Sequence, residues 1–174
     1  MGGTEVTSVP EGVRRVVAAL NDHAHPHAPR MLDDAARTAQ QAADQLGVVV
    51  GQIAKSIIFR RLPDQRAVLV ITSGDRRVDE TKVQALVCAP GQSLGRADAA
   101  FVKASTGFSI GGVPPLAHQA APVTLIDREL LRFGEIWAAA GHPHAVFMLS
   151  PAQLLAVTGA PLHDVTQQAQ GSAP

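Results

Sequence analysis

The chain has 174 residues, of which 46% are hydrophobic and 17% charged, and its formal net charge is zero. This composition is typical of one globular domain with a full-sized core, and it excludes a disordered chain and a global basic surface for nucleic acid. No apolar run approaches the roughly 20 residues that span a bilayer, and the amino-terminal residues lack a secretory signal. The single Cys88 cannot form an internal disulfide. We therefore expect no membrane contact and a cytoplasmic location.

Charge is distributed unevenly along the chain. The segment 51–103 holds nine Lys and Arg residues against five Asp and Glu, an excess of four positive charges that the rest of the chain balances. A solvated surface accounts for such a split, and so does contact with a short piece of nucleic acid on one side.

Two amphipathic helices are predicted in the first part of the chain. Ser8 and Glu11 have the spacing of a capping box, and apolar residues at helical intervals predict a helix over about 10–21. Asp33 or Asp34 can cap a second helix, whose stripe of alanines ends at Gly47 and is expected to pack close to a sheet.

The stretch between these helices, 23–30, holds three histidines and two prolines, and the prolines predict a turn and a short extended piece. Three histidines at a period of two suggest a metal site, but neither a Cys nor a carboxylate completes a recognisable ligand set. His142 and His144 are equally isolated. We therefore expect no metal and no other cofactor.

The middle and the end of the chain predict strands interleaved with short helices. A strand over 51–61 turns through 62–65 into a strand over 67–72, which is apolar on both faces and therefore central in its sheet. Further along we expect helices over about 79–87 and 97–105 separated by a break at 91–95, strands over 123–126 and 145–149, and a capped helix over 150–159. Without a regular βαβ rhythm, this pattern predicts a single α/β domain with a mixed sheet, spanning 1–166 and followed by a polar, frayed tail, 167–174.

Lys55 is unusual because it lies on the apolar side of the first predicted strand. Alternate residues of a strand share a face, so Ile53, Lys55, Ile57 and Phe59 form one row. A lysine in this row must find a partner, line a cavity open to solvent, or extend its amine to water from the end of the strand. The pattern leaves all three readings open.

The stretch 106–115, Thr-Gly-Phe-Ser-Ile-Gly-Gly-Val-Pro-Pro, combines three glycines with two prolines. Glycines allow positive φ and close approach, and prolines fix the exit, so we expect a rigid loop that presents backbone N–H groups. It lacks the spacing of a P-loop or of a dinucleotide-binding motif. A structural turn and a binding loop both fit this pattern.

Three motifs, taken in order, resemble the YbaK/EbsC family. They are Ala54-Lys55-Ser56, Thr-Gly-Phe at 106–108 and Gly-Gly-Val-Pro-Pro at 111–115. Its members are free-standing aminoacyl-tRNA deacylases related to the editing insertion of bacterial prolyl-tRNA synthetase. The similarity runs from about Val48 to Asp127. It implies a mainly antiparallel, barrel-like sheet surrounded by short helices, and a trans-editing hydrolase of mischarged tRNA. The implied substrate is aminoacyl-tRNA, chiefly tRNA-Pro, with prolyl-tRNA synthetase as a candidate partner.

The resemblance also implies the site residues. Lys55 falls on the lysine that the family requires, and the substrate-gripping loop is formed by Gly111, Gly112, Val113, Pro114 and Pro115. Phe108 and Asp127 complete the implied substrate-binding set. His118 near the loop is a further candidate, with a surface histidine as its alternative reading.

The expected chemistry uses no protein nucleophile and no metal, but the substrate's own groups and a bound water. Backbone donors near Gly111 and Gly112 are expected to stabilise the oxyanion of ester hydrolysis. We assign Lys55 to anchoring the terminal phosphate or ribose, because an ordinary lysine is protonated at neutral pH. Burial would lower its pKa and reopen a role as general base.

Two departures from the family pattern bear on specificity. Relatives that remove cysteine carry a tyrosine in or near the pocket, and this chain has no tyrosine. Val113-Pro114-Pro115 stands where those relatives tend to have Ile-Ser-Pro, so we expect a stiffer, more apolar wall and a small aliphatic amino acid such as alanine or 2-aminobutyrate rather than cysteine. The alternatives are a non-catalytic module that binds the tRNA acceptor end or a synthetase, and a hydrolase of another small ester.

Overall fold

The computed structural model describes residues 9–168. Helices and strands alternate irregularly along this part of the chain. In order they are α1 (Glu11–Asp22), β1 (Arg30–Met31), α2 (Ala39–Leu46), β2 (Ile53–Leu62), β3 (Arg66–Ser73), α3 (Glu80–Val87), β4 (Ser93–Arg96), α4 (Ala99–Thr106), β5 (Val123–Asp127), β6 (Ile136–Ala139), β7 (Ala145–Leu149), α5 (Pro151–Thr158) and β8 (Leu162–His163). Short 3-10 helices cover Val50–Gln52 and Arg128–Arg132.

The strands form one mixed sheet in the order β1-β7-β6-β2-β3-β5-β8, with β4 paired to β2 outside this path. Four pairings are antiparallel, namely β1–β7, β2–β3, β2–β4 and β6–β7. Three are parallel, namely β2–β6, β3–β5 and β5–β8. The predicted single α/β domain with a mixed, mainly antiparallel sheet is confirmed.

Strand β3 lies at the centre of the molecule and is apolar on both faces, as predicted. Leu69 and Ile71 face the larger core, which also receives residues of α1 and α5, whereas Val68 and Val70 face a smaller core under α3. All four side chains have no exposed surface. Burial on both faces explains why this strand reads as a continuous apolar run.

Most predicted helices begin where their capping residues indicate. Asp79, Asp98 and Ser150 cap α3, α4 and α5 by accepting hydrogen bonds from backbone N–H groups of the first turn. Helix α1 covers the predicted range, with Pro10 at its N-cap position. Ser8, the first residue of the predicted capping box, lies outside the described residues.

The predicted start of α2 is wrong. The helix begins at Ala39, and its cap is Thr38, whose side chain accepts from Gln41 N, rather than Asp33 or Asp34. The preceding residues are tied to a distant loop, because Leu32 N donates to His144 O and Ala36 N donates to Pro143 O. Pairing with the distant loop therefore overrides the local capping signal of the two aspartates. The end of α2 at Gly47, in the left-handed conformation, is as predicted.

The predicted break at 91–95 separates α3 from α4, but it also contains a strand that was not predicted, because Ser93–Arg96 forms β4 and pairs with the outer half of β2. The polar tail was predicted to begin at Gln167, but Gln167 N donates to Arg77 O at 2.9 Å. The rest of the tail, 169–174, lies outside the described residues.

Within residues 9–168, none of the helices has the length and apolarity that crossing a membrane requires.

Candidate active site

A cleft of about 660 Å³ opens beside the inner end of β2. Helix α2 and the residues before it form one wall, and β6 with the start of β7 forms the floor. We call it the first cleft. Its lining includes Lys55 and Ser56 of β2, Gly111 and Val113 of the glycine-proline loop, and the apolar side chains of Ala36, Ala39, Ala42, Ile53, Ile110, Trp137, Pro143 and Val146. The charged residues of the lining are Arg37 and Lys55, with no carboxylate among the described residues.

Lys55 projects from β2 into this cleft. It faces Thr72 across the β2–β3 ladder, and Thr72 has a fully buried hydroxyl without a hydrogen-bond partner in the described chain. Among residues 9–168 the amine of Lys55 forms neither a salt bridge nor a hydrogen bond. Partial burial, and then the nearby Arg77, lower the pKa of Lys55, while Asp75 and Asp127 act in the opposite direction. The sequence left three readings open for Lys55, and the structure agrees with the one in which the lysine lines a cavity.

The glycine-proline loop reaches the same cleft through Gly111 and Val113. Gly111 has a φ of +94°, a conformation that favours glycine. The amide of Gly112 donates to Ser109 O at 3.0 Å, so it closes a turn and is not free for a ligand. The amides of Gly111 and Val113 have no acceptor within the described part of the chain. Of the expected pair of donors, the amide of Gly112 is therefore engaged within the loop.

Gly112 allows the loop to approach its neighbour closely. A Cβ atom at this position would lie 2.7 Å from the backbone N and Cα of His142. Any other residue would push the loop away from the 142–145 turn, whose Pro143 also lines the first cleft.

Arg15 of α1 holds the loop at both ends, a role that no local sequence pattern indicated. Its guanidinium donates to Gly107 O at 3.1 Å and to Ala117 O at 3.0 Å. The same group lies 4.3 Å from the centre of the Phe108 ring, within the range of a cation–π contact. Gly107 has a φ of +83°, so this position also favours glycine.

Phe108, Pro114, Pro115 and His118 lie behind the loop and do not line the first cleft. Phe108 is part of the main core and the two prolines are buried. His118 Nε2 is 2.6 Å from Pro114 O, and because a carbonyl only accepts, Nε2 carries the proton. Burial lowers the pKa of His118, which favours the neutral ring. His118 is thus a brace of the loop, neither the surface histidine of the alternative reading nor a residue of the cleft.

Asp127 is fully buried at the end of β5 and also lies outside the cleft lining. Its carboxylate accepts from Ser73 N at 3.0 Å and from Glu129 N at 2.9 Å, which joins the ends of β3 and β5 and caps the 3-10 helix. Burial raises the pKa of Asp127, and the two backbone donors oppose this shift. Its carboxylate therefore organises the sheet end beside Lys55.

A polar network fixes the turn after β3. Arg132 donates to both oxygens of Asp75, at 2.8 and 3.1 Å, and to Ser73 Oγ at 2.8 Å. The Ser73 hydroxyl in turn donates to Gly51 O. Between them Gly74 approaches Val50 O so closely that a Cβ atom would lie 2.3 Å away. The network holds Gly74 against the rim of the cleft that Lys55 lines.

The histidines singled out in the sequence form two separate pairs. His25 and His27 have ring centroids 5.7 Å apart, and His142 and His144 have centroids 5.4 Å apart. Among residues 9–168, no three His, Cys, Asp or Glu side chains converge in a way that could hold a metal ion.

Comparisons with known proteins agree on one family. A family model described as aminoacyl-tRNA editing domain matches residues 33–157. The uncharacterized protein YwhH of Bacillus subtilis (strain 168) is 32% identical over 117 residues, which is 67% of this chain and 72% of that protein. The proline--tRNA ligase of Gloeobacter violaceus is 37% identical over 99 residues, which is 54% of this chain and 16% of the ligase.

Solved structures give the same picture. A crystal structure of a proposed trans-editing enzyme for prolyl tRNA synthetase superposes with a TM-score of 0.84 at 38% identity, covering 92% of this chain and 99% of that one. The hypothetical protein APE2540 superposes with a TM-score of 0.80 at 28% identity, covering 88% and 99%.

The fold and the cleft are those of a small α/β domain in which a lysine on the sheet and a glycine-proline loop line one cleft. The chain belongs to the aminoacyl-tRNA editing domain family, in its YbaK-like branch. It is an aminoacyl-tRNA deacylase, and its substrate is mischarged aminoacyl-tRNA.

Proposed function

We propose that this protein acts in trans on tRNA-Pro that carries a small aliphatic amino acid, alanine or 2-aminobutyrate, and hydrolyses the ester to the terminal adenosine. The observation that supports this most directly is that Lys55 and the glycine-proline loop line one cleft. Prolyl-tRNA synthetase is the partner we propose, because parts of proline--tRNA ligases are similar in sequence to this chain.

In the proposed mechanism the aminoacyl group occupies the first cleft with its carbonyl oxygen at the amides of Gly111 and Val113. Water adds to the carbonyl carbon, and the negative charge that develops on the carbonyl oxygen is stabilised by these fixed donors. The carbon–oxygen bond to the ribose then breaks, and the leaving ribose oxygen takes a proton. The amino acid and tRNA with a free terminal hydroxyl are the products.

Lys55 supplies positive charge beside the ester. Within residues 9–168 the amine of Lys55 has no salt-bridge or hydrogen-bond partner, so the ammonium is available to bind a ribose oxygen or the terminal phosphate. The pKa of Lys55 is lowered, which makes the neutral amine easier to reach than in a free lysine, but the protonated form is the one that binds an anion. We therefore keep Lys55 as an anchoring residue rather than a general base.

The lining of the first cleft supports selection of a small apolar side chain. Alanines of α2 and of the residues before it face Trp137 and Val146, and the absence of a carboxylate from the described lining gives a basic side chain no partner. Pocket contacts of this kind discriminate one methylene by about 1–3 kcal/mol, or roughly 10–200-fold in rate.

A deacylation panel tests the proposal. The purified protein is incubated with tRNA-Pro charged with alanine, 2-aminobutyrate, cysteine or proline, and the ester that remains is measured over time. We expect rapid loss of the alanyl and 2-aminobutyryl esters, slower loss of the cysteinyl ester, and persistence of the prolyl ester. Rapid hydrolysis of the prolyl ester, or equal hydrolysis of all four, would contradict the proposed specificity.

Lys55→Ala tests the site, with Arg96→Ala as the matched control because Arg96 is an exposed cation on β4 outside the cleft. We expect Lys55→Ala to slow single-turnover deacylation by about 100-fold or more, by analogy with the loss of one preorganised charge-stabilising group. Arg96→Ala should behave as the parent. Equal rates for Lys55→Ala and the parent would reject the assignment of Lys55.

A further inference from the structure

A second cleft, of about 910 Å³, adjoins the first on the other side of Lys55. Its lining includes alternate residues of β2, from Lys55 to Phe59. The turn after β3, the start of α3 and two residues beyond β8 complete it. These residues are Lys55, Ile57, Phe59, Gly74, Asp75, Arg76, Arg77, Val78, Glu80, Gln167 and Gln168. Lys55, Ile57 and Gly74 line both clefts. The two clefts therefore meet along these three residues.

Salt bridges within the protein already engage part of the charge in the second cleft. Asp75 is paired with Arg132 at 2.8 Å, and Arg76 is paired with Glu129 at 3.2 Å. Arg77 is exposed and forms no salt bridge with any residue in the described range 9–168. Glu80, at the first position of α3, is the one acidic side chain of this lining that is not paired in the same range.

Arg77 and Lys55 both line the second cleft. The positive charge of Arg77 is the second largest cause, after burial, of the lowered pKa of Lys55. Two cations that destabilise each other across a cleft form a favourable site for an anion, because a bound negative charge relieves their repulsion. A guanidinium suits a phosphate especially well, since it donates two parallel hydrogen bonds.

We propose that the second cleft binds the RNA strand that leads to the terminal adenosine, with Arg77 contacting a backbone phosphate. This inference rests on the proposed function, which places the ester beside Lys55 in the first cleft. The ribose of that ester is attached to a phosphodiester strand, and the second cleft is the adjoining opening through which the strand can leave. Binding there would align the scissile ester with the loop amides.

The chemistry of the lining predicts contact with the backbone rather than reading of bases. The one aromatic side chain in the lining is Phe59, which is 7% exposed and so offers little surface for stacking. Phosphate contacts position a nucleic acid without reading its sequence. We therefore expect the strand to be held with little base preference at this position.

The experiment measures binding of an uncharged RNA, so it does not depend on hydrolysis. The probe is a fluorescein-labelled RNA hairpin with an unpaired 3′ CCA end, titrated with the parent protein, Arg77→Gln and the control Arg96→Gln. We expect Arg77→Gln to weaken binding about tenfold and to reduce the slope of log affinity against log salt by about 0.7, the value for one phosphate of a single strand. Arg96→Gln should match the parent in both measurements.

A second measurement separates strand binding from chemistry. Arg77→Gln should lose less hydrolysis of alanyl-adenosine, which carries the ester but no phosphate, than of alanyl-tRNA, because the smaller substrate has no strand for Arg77 to bind. Unchanged affinity and salt slope in Arg77→Gln, or equal losses in Arg96→Gln, would overturn the inference. If Arg77→Gln loses affinity while the parent hydrolyses no charged tRNA, the proposed function fails and strand binding at Arg77 stands.

Discussion

The guanidinium of Arg15 lies 4.3 Å from the centre of the Phe108 ring and donates to the carbonyl oxygens of Gly107 and Ala117. One side chain of α1 therefore joins the beginning and the end of the loop that reaches the first cleft. Ala117 has a φ of +70°, a strained value for alanine that this contact helps to maintain. The position of the loop amides thus depends on a helix that lines neither cleft.

Replacing Arg15 with alanine should slow deacylation while leaving the fold intact. The change removes two hydrogen bonds from a charged donor and one cation–π contact, so we expect unfolding to become easier by about 1–3 kcal/mol. Freed from its clamp, the loop should lose the alignment of its amides, and kcat should fall about tenfold or more with a smaller effect on KM. Single-turnover kinetics and urea unfolding measure the two effects.

Arg14→Ala is the matched control, because Arg14 is the exposed neighbour on the same helix. Arg14→Ala should change neither the rate of deacylation nor the free energy of unfolding. Arg15→Lys retains the charge but not the forked geometry, so it should recover part of the rate. An Arg15→Ala protein that is destabilised but hydrolyses at the parental kcat would show that Arg15 contributes to folding alone.

Gly112→Ala adds only one methyl group, but it should disrupt the loop severely. The added Cβ would meet backbone atoms of His142 at 2.7 Å, a distance that real Cβ contacts do not show, and backbone cannot move aside as a flexible side chain can. We expect a loss of stability of about 1–3 kcal/mol and a large fall in activity. Gly134→Ala is the control, because a Cβ atom there would meet nothing within 4 Å. Normal activity in Gly112→Ala would show that the loop does not need this close approach.

The position of Lys55 could be predicted from the sequence, whereas most of its surroundings could not. The period of two along β2 places Lys55 in a row with Ile53, Ile57 and Phe59, and the structure keeps these residues on one side of the strand. The meeting of Lys55 with the glycine-proline loop was implied only by the family resemblance. The alternation within a strand says nothing about which distant loop will cover it.

Arg15 could not be predicted because its partners are distant in sequence. It lies 92 positions before Gly107 and 102 before Ala117, and within α1 it reads as an ordinary polar residue of an amphipathic helix. Strand β6 was missed for a related reason. It has four residues, and its pairing with β2 and β7 is supplied by strands far along the chain. Local patterns identified the helices with strong caps, and tertiary contacts decided the remainder.

Narrowing the first cleft should change which acyl groups are hydrolysed. Ala36 lines the cleft and its amide is held by Pro143 O at 3.0 Å, so a larger side chain at this position has a fixed backbone to project from. Ala36→Leu should reduce hydrolysis of the 2-aminobutyryl ester about tenfold more than that of the alanyl ester, in line with the value of one methylene. The measurement is the ratio of kcat/KM for the two esters.

Ala35→Leu is the control for that substitution, because Ala35 is the adjacent alanine and does not line the cleft. Its ratio for the two esters should equal that of the parent. Equal ratios in Ala36→Leu and the parent would indicate that the acyl group lies elsewhere.

Lys55→Met should stabilise the protein at neutral pH, with a pH dependence of defined sign. Burial and Arg77 lower the pKa of Lys55 below its ordinary value of 10.5, so the fold penalises the protonated amine. Below the lowered pKa the amine is protonated in both folded and unfolded states, and the full penalty applies. Between the lowered pKa and 10.5 the unfolded state binds more protons, so the stability of the parent rises with pH relative to the variant.

The advantage of Lys55→Met should therefore be full below the lowered pKa and should shrink as the pH rises toward 10.5, above which the amine is neutral in both states. Urea unfolding of both proteins at several pH values measures it. Subtracting the effect of Lys103→Met, an exposed lysine on α4, removes the general consequence of deleting one lysine. A corrected difference that does not vary with pH would mean that the fold does not disfavour the charged amine. The surroundings of Lys55 would then not destabilise its cation, and an anionic ligand would have no such destabilisation to relieve.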